Sequence, residues 1–139
     1  MKLSITIQAI IKAPVEDVWK YYTEPEHIIK WNSASDDWHT PKAENNLKIG
    51  GEFNSRMEAK DGSAGFNFKG TYTNVKENEL IEYVMEEDNR KVKIEFRSIE
   101  EGTEIILIFE PETELPIEMQ RDGWQSILNN FKKYVEENN

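Results

Sequence analysis

The sequence predicts an α+β domain: an antiparallel sheet of about six or seven strands covered by a long C-terminal helix, with two short helices after the first strand. Three observations carry this. Residues 47–110 hold a succession of alternating apolar and polar segments separated by turn-forming residues. Near the end, Trp124, Ile127, Leu128, Phe131, Tyr134 and Val135 recur at helical spacing. A sheet with one apolar face needs a cover, and this final helix is the only element long enough to supply it.

The first strand places Leu3, Ile5, Ile7, Ala9 and Ile11 on one face and Ser4, Thr6 and Gln8 on the other. Pro14 ends it and suits the first turn of a helix over Val15–Tyr22, where a missing N–H costs nothing. Glu16 and Asp17 complement the positive end of that helix. Val15, Val18, Trp19 and Tyr22 make its apolar stripe. A second short helix runs from Pro25 to Trp31. Asn32 to Asn46 shows little periodicity and reads as irregular chain.

The expected meander then comprises 47–60, 64–75, 80–86, 91–99 and 103–110. Gly50-Gly51 breaks or bends its first strand. Asp61-Gly62, Asp88-Asn89 and Glu101-Gly102 supply hairpin turns. Phe66, Phe68, Gly70 and Tyr72 share one face, as do Val92, Ile94 and Phe96, and Ile105, Leu107 and Phe109. Ile106 and Ile108 put apolar surface on the opposite face, which suggests a second layer or a dimer contact; monomer and homodimer both stay open. The final helix spans about Pro116–Glu137. No repeat or linker divides the chain, so residues 1–139 form one domain.

Composition narrows the function. The net charge is −10, and the acidity is concentrated: residues 76–139 carry 8 Lys/Arg against 17 Asp/Glu. An acidic surface repels phosphate backbones and anionic lipid, so neither nucleic acid nor a membrane is an expected partner. There is no Cys, which removes disulfides, thiolate metal sites and a Cys nucleophile. The N-terminus lacks the unbroken apolar core of a signal peptide. No apolar run approaches the ~20 residues of a membrane helix. The expected location is the cytoplasm.

The segments IKAPVEDVWKYYTEPEHIIKW at Ile11–Trp31, LKIGGEF at Leu47–Phe53 and DGWQSILNNFKKYVEE at Asp122–Glu137, in this order and spacing, resemble the START-like superfamily, also called SRPBCC or helix-grip. Within it the chain looks most like the bacterial homologues of the heat-shock-protein-90 ATPase activator. The resemblance covers essentially the whole chain and implies a sheet that curls around the C-terminal helix. It also implies a cavity between them in which small apolar molecules sit.

The residues offer little catalytic chemistry. The two histidines, His27 and His39, accompany no nucleophile elbow, and Ser33 and Ser35 near His39 do not make a triad. Asp36, Asp37 and His39 are the one candidate metal set, and they read more simply as a solvated loop; no metal and no cofactor are expected. Gly50-Gly51 precedes no helix, so it cradles no phosphate.

The remaining constellation is aromatic. Phe66, Phe68, Tyr72, Tyr83, Phe96, Trp124, Leu128 and Phe131 are the candidate ligand-binding residues, with Trp124 expected to be largely buried against the sheet. Arg56, Tyr72, Tyr83 and Gln125 are polar groups able to orient a ligand. Three functions fit: binding a small hydrophobic or amphipathic molecule without catalysis, a chaperone-assisting or other protein-interaction module, and a cyclase- or hydrolase-like enzyme using the same cavity. The first is favoured by the cavity that the resemblance implies, and the third is disfavoured because no convergent acid–base pair is visible.

Overall fold

The computed structural model describes residues 3–139. Seven antiparallel strands form one curled sheet: β1 Ile5–Ile11, β2 Trp38–Asn45, β3 Glu52–Ala59, β4 Gly65–Lys76, β5 Leu80–Met85, β6 Lys91–Ile99 and β7 Gly102–Phe109. Their spatial order is β1-β7-β6-β5-β4-β3-β2. Three helices accompany them: α1 Val15–Thr23, α2 Pro25–Trp31 and α3 Ile117–Asn138. Among the described residues, no helix is long and apolar enough to cross a membrane.

The alternation read from sequence sets the register. Ile5, Ile7 and Ile11 of β1 turn inward and sit opposite Phe109, Leu107 and Thr103 of β7. Across β7 and β6, Ile94 pairs with Leu107 and Phe96 with Ile105. These side chains are almost wholly buried and form the core with Val18, Trp19, Leu128, Phe131 and Val135 from the helices. On the outer face Ile106 lies between Gln8 and Glu95, and Ile108 between Thr6 and Lys93. Flanking stems leave both isoleucines only half-buried.

Two segments differ from the expected pattern. The stretch expected to be irregular contains an edge strand, β2. Pro41 lies within it, and its pairing with β3 shifts register between His39 and Lys42. A bulge destroys the period-two pattern that sequence reading relies on, and an edge strand tolerates a proline. The strand expected over 47–60 begins only at Glu52. Residues 46–51 turn instead, with Gly50 at φ +84° and Gly51 so close to the Asn46 carbonyl that a Cβ would stand 2.1 Å from it.

Gly102 opens β7 at φ +142°, and a Cβ there would lie 2.2 Å from the Ile11 carbonyl oxygen. The neighbouring Thr103 hydroxyl donates to the Ala13 carbonyl at 2.8 Å, fastening the start of β7 to the chain between β1 and α1. Gly102→Ala is therefore expected to cost more than ~1 kcal/mol, from backbone strain and contact together. A urea midpoint equal to wild type would contradict this placement.

The helices are too narrow to cover the whole sheet. Seven strands at ~4.8 Å spacing span roughly 29 Å, whereas one helix with its side chains is about 10–12 Å wide. α3 lies mainly against β1, α1 rests on β6 and β7, and α2 packs on β2. The concave face of β3, β4 and β5 is left without a helix directly on it.

Candidate functional site

Beneath that uncovered stretch lies a cavity of about 890 Å³. Its floor is the inward face of β3–β5, carrying Phe53, Ser55, Met57, Phe68, Tyr72, Tyr83 and Met85. Gly123, Trp124, Ile127 and Leu128 of α3 form one wall. Tyr22 of α1 with Ile28 and Trp31 of α2 close the opposite side. Phe66, Leu115 and Met119 stand at the mouth with much of their surface exposed.

Alternation along the strands explains the floor. In β3, Phe53, Ser55 and Met57 point in while Arg56 and Glu58 pair on the other side, Nε to Oε2 at 2.8 Å. Gly70 makes room in β4, because a Cβ there would stand 2.6 Å from the Phe53 ring. The Phe53 ring then meets Phe68, Tyr72 and Tyr83 at centroid distances of 4.8–5.5 Å. Across the cavity, Trp124 stacks flat on Phe109, 4.1 Å between centroids, and lies nearly perpendicular to the Phe68 ring at 6.2 Å. Trp124 thus faces the sheet as expected, but it is only partly buried, since its other side borders the cavity.

Phe66, Phe68, Tyr72, Tyr83, Trp124 and Leu128 lie along the cavity wall. Phe96 and Phe131 do not. Phe96 meets Trp19 edge-on at 5.0 Å and is 4% exposed. Phe131, fully buried, packs between Trp31 at 4.8 Å and Tyr22 at 5.1 Å. Both occupy the solid part of the core, under α1 and α2 rather than under the gap. Of the polar residues expected to be able to orient a ligand, Tyr72 and Tyr83 reach the cavity. Arg56 faces outward to Glu58. Gln125 is bound to the Gln8 carbonyl and the Asn129 side chain.

Sequence reasoning missed the contributions of α1 and α2. Tyr22 is the last residue of the stripe Val15, Val18, Trp19, Tyr22, and its ring stacks on Trp31, 5.1 Å apart. The indole of Trp31 donates to the Tyr21 carbonyl at 2.9 Å, locking α2 against α1. Asn45, at the end of the unexpected strand β2, donates to the Thr23 carbonyl at 2.7 Å and accepts from the Tyr72 hydroxyl at 2.5 Å. It fastens the cavity floor to the end of α1.

The interior is uncharged. Burial pushes the Tyr22, Tyr72 and Tyr83 hydroxyls well above the usual phenol range. Tyr72 also opposes the ionisation of Tyr22, and Tyr22 and Tyr72 oppose that of Tyr83. The bond to Asn45 and the charge of Arg90 pull the other way, on Tyr72 and Tyr83 respectively, by less than burial raises them. Charge appears at the mouth, where Glu86, Glu87 and Glu112 lie near Lys69 and Arg90. Arg90 is held by Asp88 (Nε to Oδ2, 2.6 Å) and Lys69 by Glu86 (3.7 Å).

Elsewhere, Asp36, Asp37 and His39 do not converge. Asp37 accepts from Ser35, and His39 faces Glu58 at 4.0 Å. Among the described residues, the carboxylates and imidazole that do gather are Glu24, Glu26 and His27, and Nδ1 of His27 is already bound to the Tyr134 hydroxyl at 2.7 Å.

Comparison with known proteins places this architecture. The family model described as Activator of Hsp90 ATPase homolog 1-like protein matches residues 12–136. No curated protein matches the sequence. The solution NMR structure of the AHSA1-like protein from Aeromonas hydrophila is 43% identical, with a TM-score of 0.92 over 98% of this chain and 94% of that one. A solution structure from Cytophaga hutchinsonii is 49% identical, with a TM-score of 0.80 over 99% and 93%. A crystal structure from Nitrosomonas europaea, 21% identical with a TM-score of 0.85 over 98% and 96%, shares the fold. The family match begins just after β1 and runs almost to the end of α3, so both short helices, strands β2–β7 and nearly all of the long helix fall within it: the chain belongs to the Activator of Hsp90 ATPase homolog 1-like family.

Proposed function

We propose that this protein binds a small, largely apolar molecule in the cavity between the sheet and α3. The observation that supports the reading is the cavity itself: about 890 Å³, bounded mainly by aromatic and aliphatic side chains, with exposed Phe66, Leu115 and Met119 among the charged residues of its mouth. Covering 100 Å² of apolar ligand surface in such a site is worth about 2.5 kcal/mol before the costs of association. An anilinonaphthalene fluorophore is expected to bind saturably with one site per chain.

Gly123 provides the control. It lies in α3 on the cavity wall, and a Cβ there would meet nothing within 4 Å. Gly123→Phe projects a ring into the space and is expected to weaken fluorophore binding roughly tenfold or more, about 1.4 kcal/mol. Replacing a mid-helix glycine by phenylalanine also recovers roughly 0.3–0.5 kcal/mol of helix propensity, so the variant should melt no lower than wild type.

The second reading is a protein-interaction module that engages another protein, such as a chaperone. It is favoured by exposed Phe66, Leu115 and Met119 at the mouth. Fluorophore binding that survives Gly123→Phe but is lost with Phe66→Ser and Met119→Ser would put the apolar affinity on the rim and support this second reading.

A further inference from the structure

We infer that the deep corner of the cavity between α1 and β5 is a hydrogen-bonding subsite for a neutral ligand's carbonyl oxygen, built by the hydroxyls of Tyr22 and Tyr83. The inference rests on the cavity-binding reading and specifies its ligand. Buried hydroxyls in folded proteins have hydrogen-bond partners. Tyr72 has one, the Asn45 side-chain oxygen. Among the described residues, the Tyr22 and Tyr83 hydroxyls have none, and neither is an atom sealed away without a partner: both open onto the cavity. Tyr83 is 6% exposed, so what surface it retains is cavity wall rather than bulk solvent. The Ser55 hydroxyl, on an equally buried residue of the floor, is in the same condition.

Polarity decides what kind of group completes the corner. The strong acceptor there, the Asn45 side-chain oxygen, is already taken by Tyr72, and the Asn45 amide is taken by the Thr23 carbonyl. What remains is hydroxyl hydrogens with no carbonyl or carboxylate of the protein to receive them. A ligand completes the corner by supplying an acceptor. Charge then narrows the class. Arg90 is already paired with Asp88, and an anion in the corner would lose its hydration with only neutral donors in return. Glu86, Glu87 and Glu112 at the mouth also oppose the entry of a carboxylate. The ligand class is therefore a neutral, mostly apolar molecule bearing a ketone, quinone or ester oxygen, in preference to a fatty acid or a bare hydrocarbon.

Benzophenone and diphenylmethane form a matched pair of probes, alike in size and differing in the carbonyl. Each is titrated by displacement of the fluorophore from the full-length protein. Wild type is expected to bind benzophenone about tenfold to a hundredfold more tightly, the range for leaving buried donors unmet. Tyr83→Phe and Tyr22→Phe should shrink that ratio toward one by weakening benzophenone while leaving diphenylmethane unchanged. In wild type, the carbonyl stretch of bound benzophenone should move to lower frequency than in hydrocarbon solvent, a readout that needs no variant to fold. Equal affinity for the two probes with an unshifted carbonyl stretch overturns the subsite and leaves cavity binding intact. Saturable binding of neither probe, nor of the fluorophore, overturns the cavity reading and the subsite with it.

Discussion

Phe131→Asp is expected to leave no folded protein at 25 °C, and Phe131→Ala to lower the thermal midpoint by roughly 10–20 °C. Phe131 lies on the buried stripe of α3 with Leu128 and Val135, and its ring is wedged among Tyr22 and Trp31. Truncating a buried Phe costs ~3–5 kcal/mol, and total stabilities of small domains are about 5–15 kcal/mol. Aspartate adds the cost of an unpaired buried charge, several kcal/mol more. Phe66→Ser is the contrast: the same residue type, 48% exposed at the mouth, and expected to cost no more than ~1 kcal/mol. Circular dichroism melts of the variants check both. A folded Phe131→Asp protein with a wild-type midpoint and weakened fluorophore binding would mean that the ring borders the cavity rather than the solid core.

The contrast between Phe131 and Leu128 also shows how far the sequence could be read. Periodicity puts both on the inner stripe of α3, and that is correct for both. It cannot say which part of the stripe presses on other helices and which part overhangs a gap. That depends on where α1 and α2 sit, and their placement is set by contacts such as the Trp31 indole on the Tyr21 carbonyl. The same holds for Phe96 and Phe68. Each lies on the inward face of its strand, but β6 is covered by α1 and β4 is not. Strand faces, hairpin positions and helix bounds came from local pattern, because residues a few positions apart determine them. β2 was hidden because Pro41 and a bulge erase its alternation. The Tyr22–Tyr83 corner was hidden for a different reason. It joins residues far apart in sequence, and only unmet hydroxyls, visible in three dimensions, mark it.

Alkaline pH should unfold this protein steeply. Tyr22, Tyr72 and Tyr83 are phenols whose neutral form the fold protects, so their folded-state pKa values lie above the unfolded value of about 10. The unfolded chain therefore loses these protons first. The stability they contribute is fully present below about pH 10 and is lost as the pH rises through the interval up to the folded-state values. With three such protons withheld, the slope approaches ~4 kcal/mol per pH unit at its steepest, against a total of about 5–15 kcal/mol. The burial responsible is that of the cavity corner itself, so the effect reports on the same site. In a protein carrying Tyr21→Phe and Tyr134→Phe, which removes the two tyrosines off the cavity, far-ultraviolet circular dichroism and tyrosinate absorbance, monitored together from pH 8 upward, should change in one cooperative step above about pH 10. Tyr22→Phe combined with Tyr83→Phe removes two of the three protons and should flatten the slope to ~1.4 kcal/mol per pH unit. Tyrosinate absorbance of that protein that rises gradually from pH 9 with the circular dichroism unchanged would show that water and hydroxide reach these three hydroxyls freely. The corner would then be part of the solvent, with no donors held in reserve for a ligand.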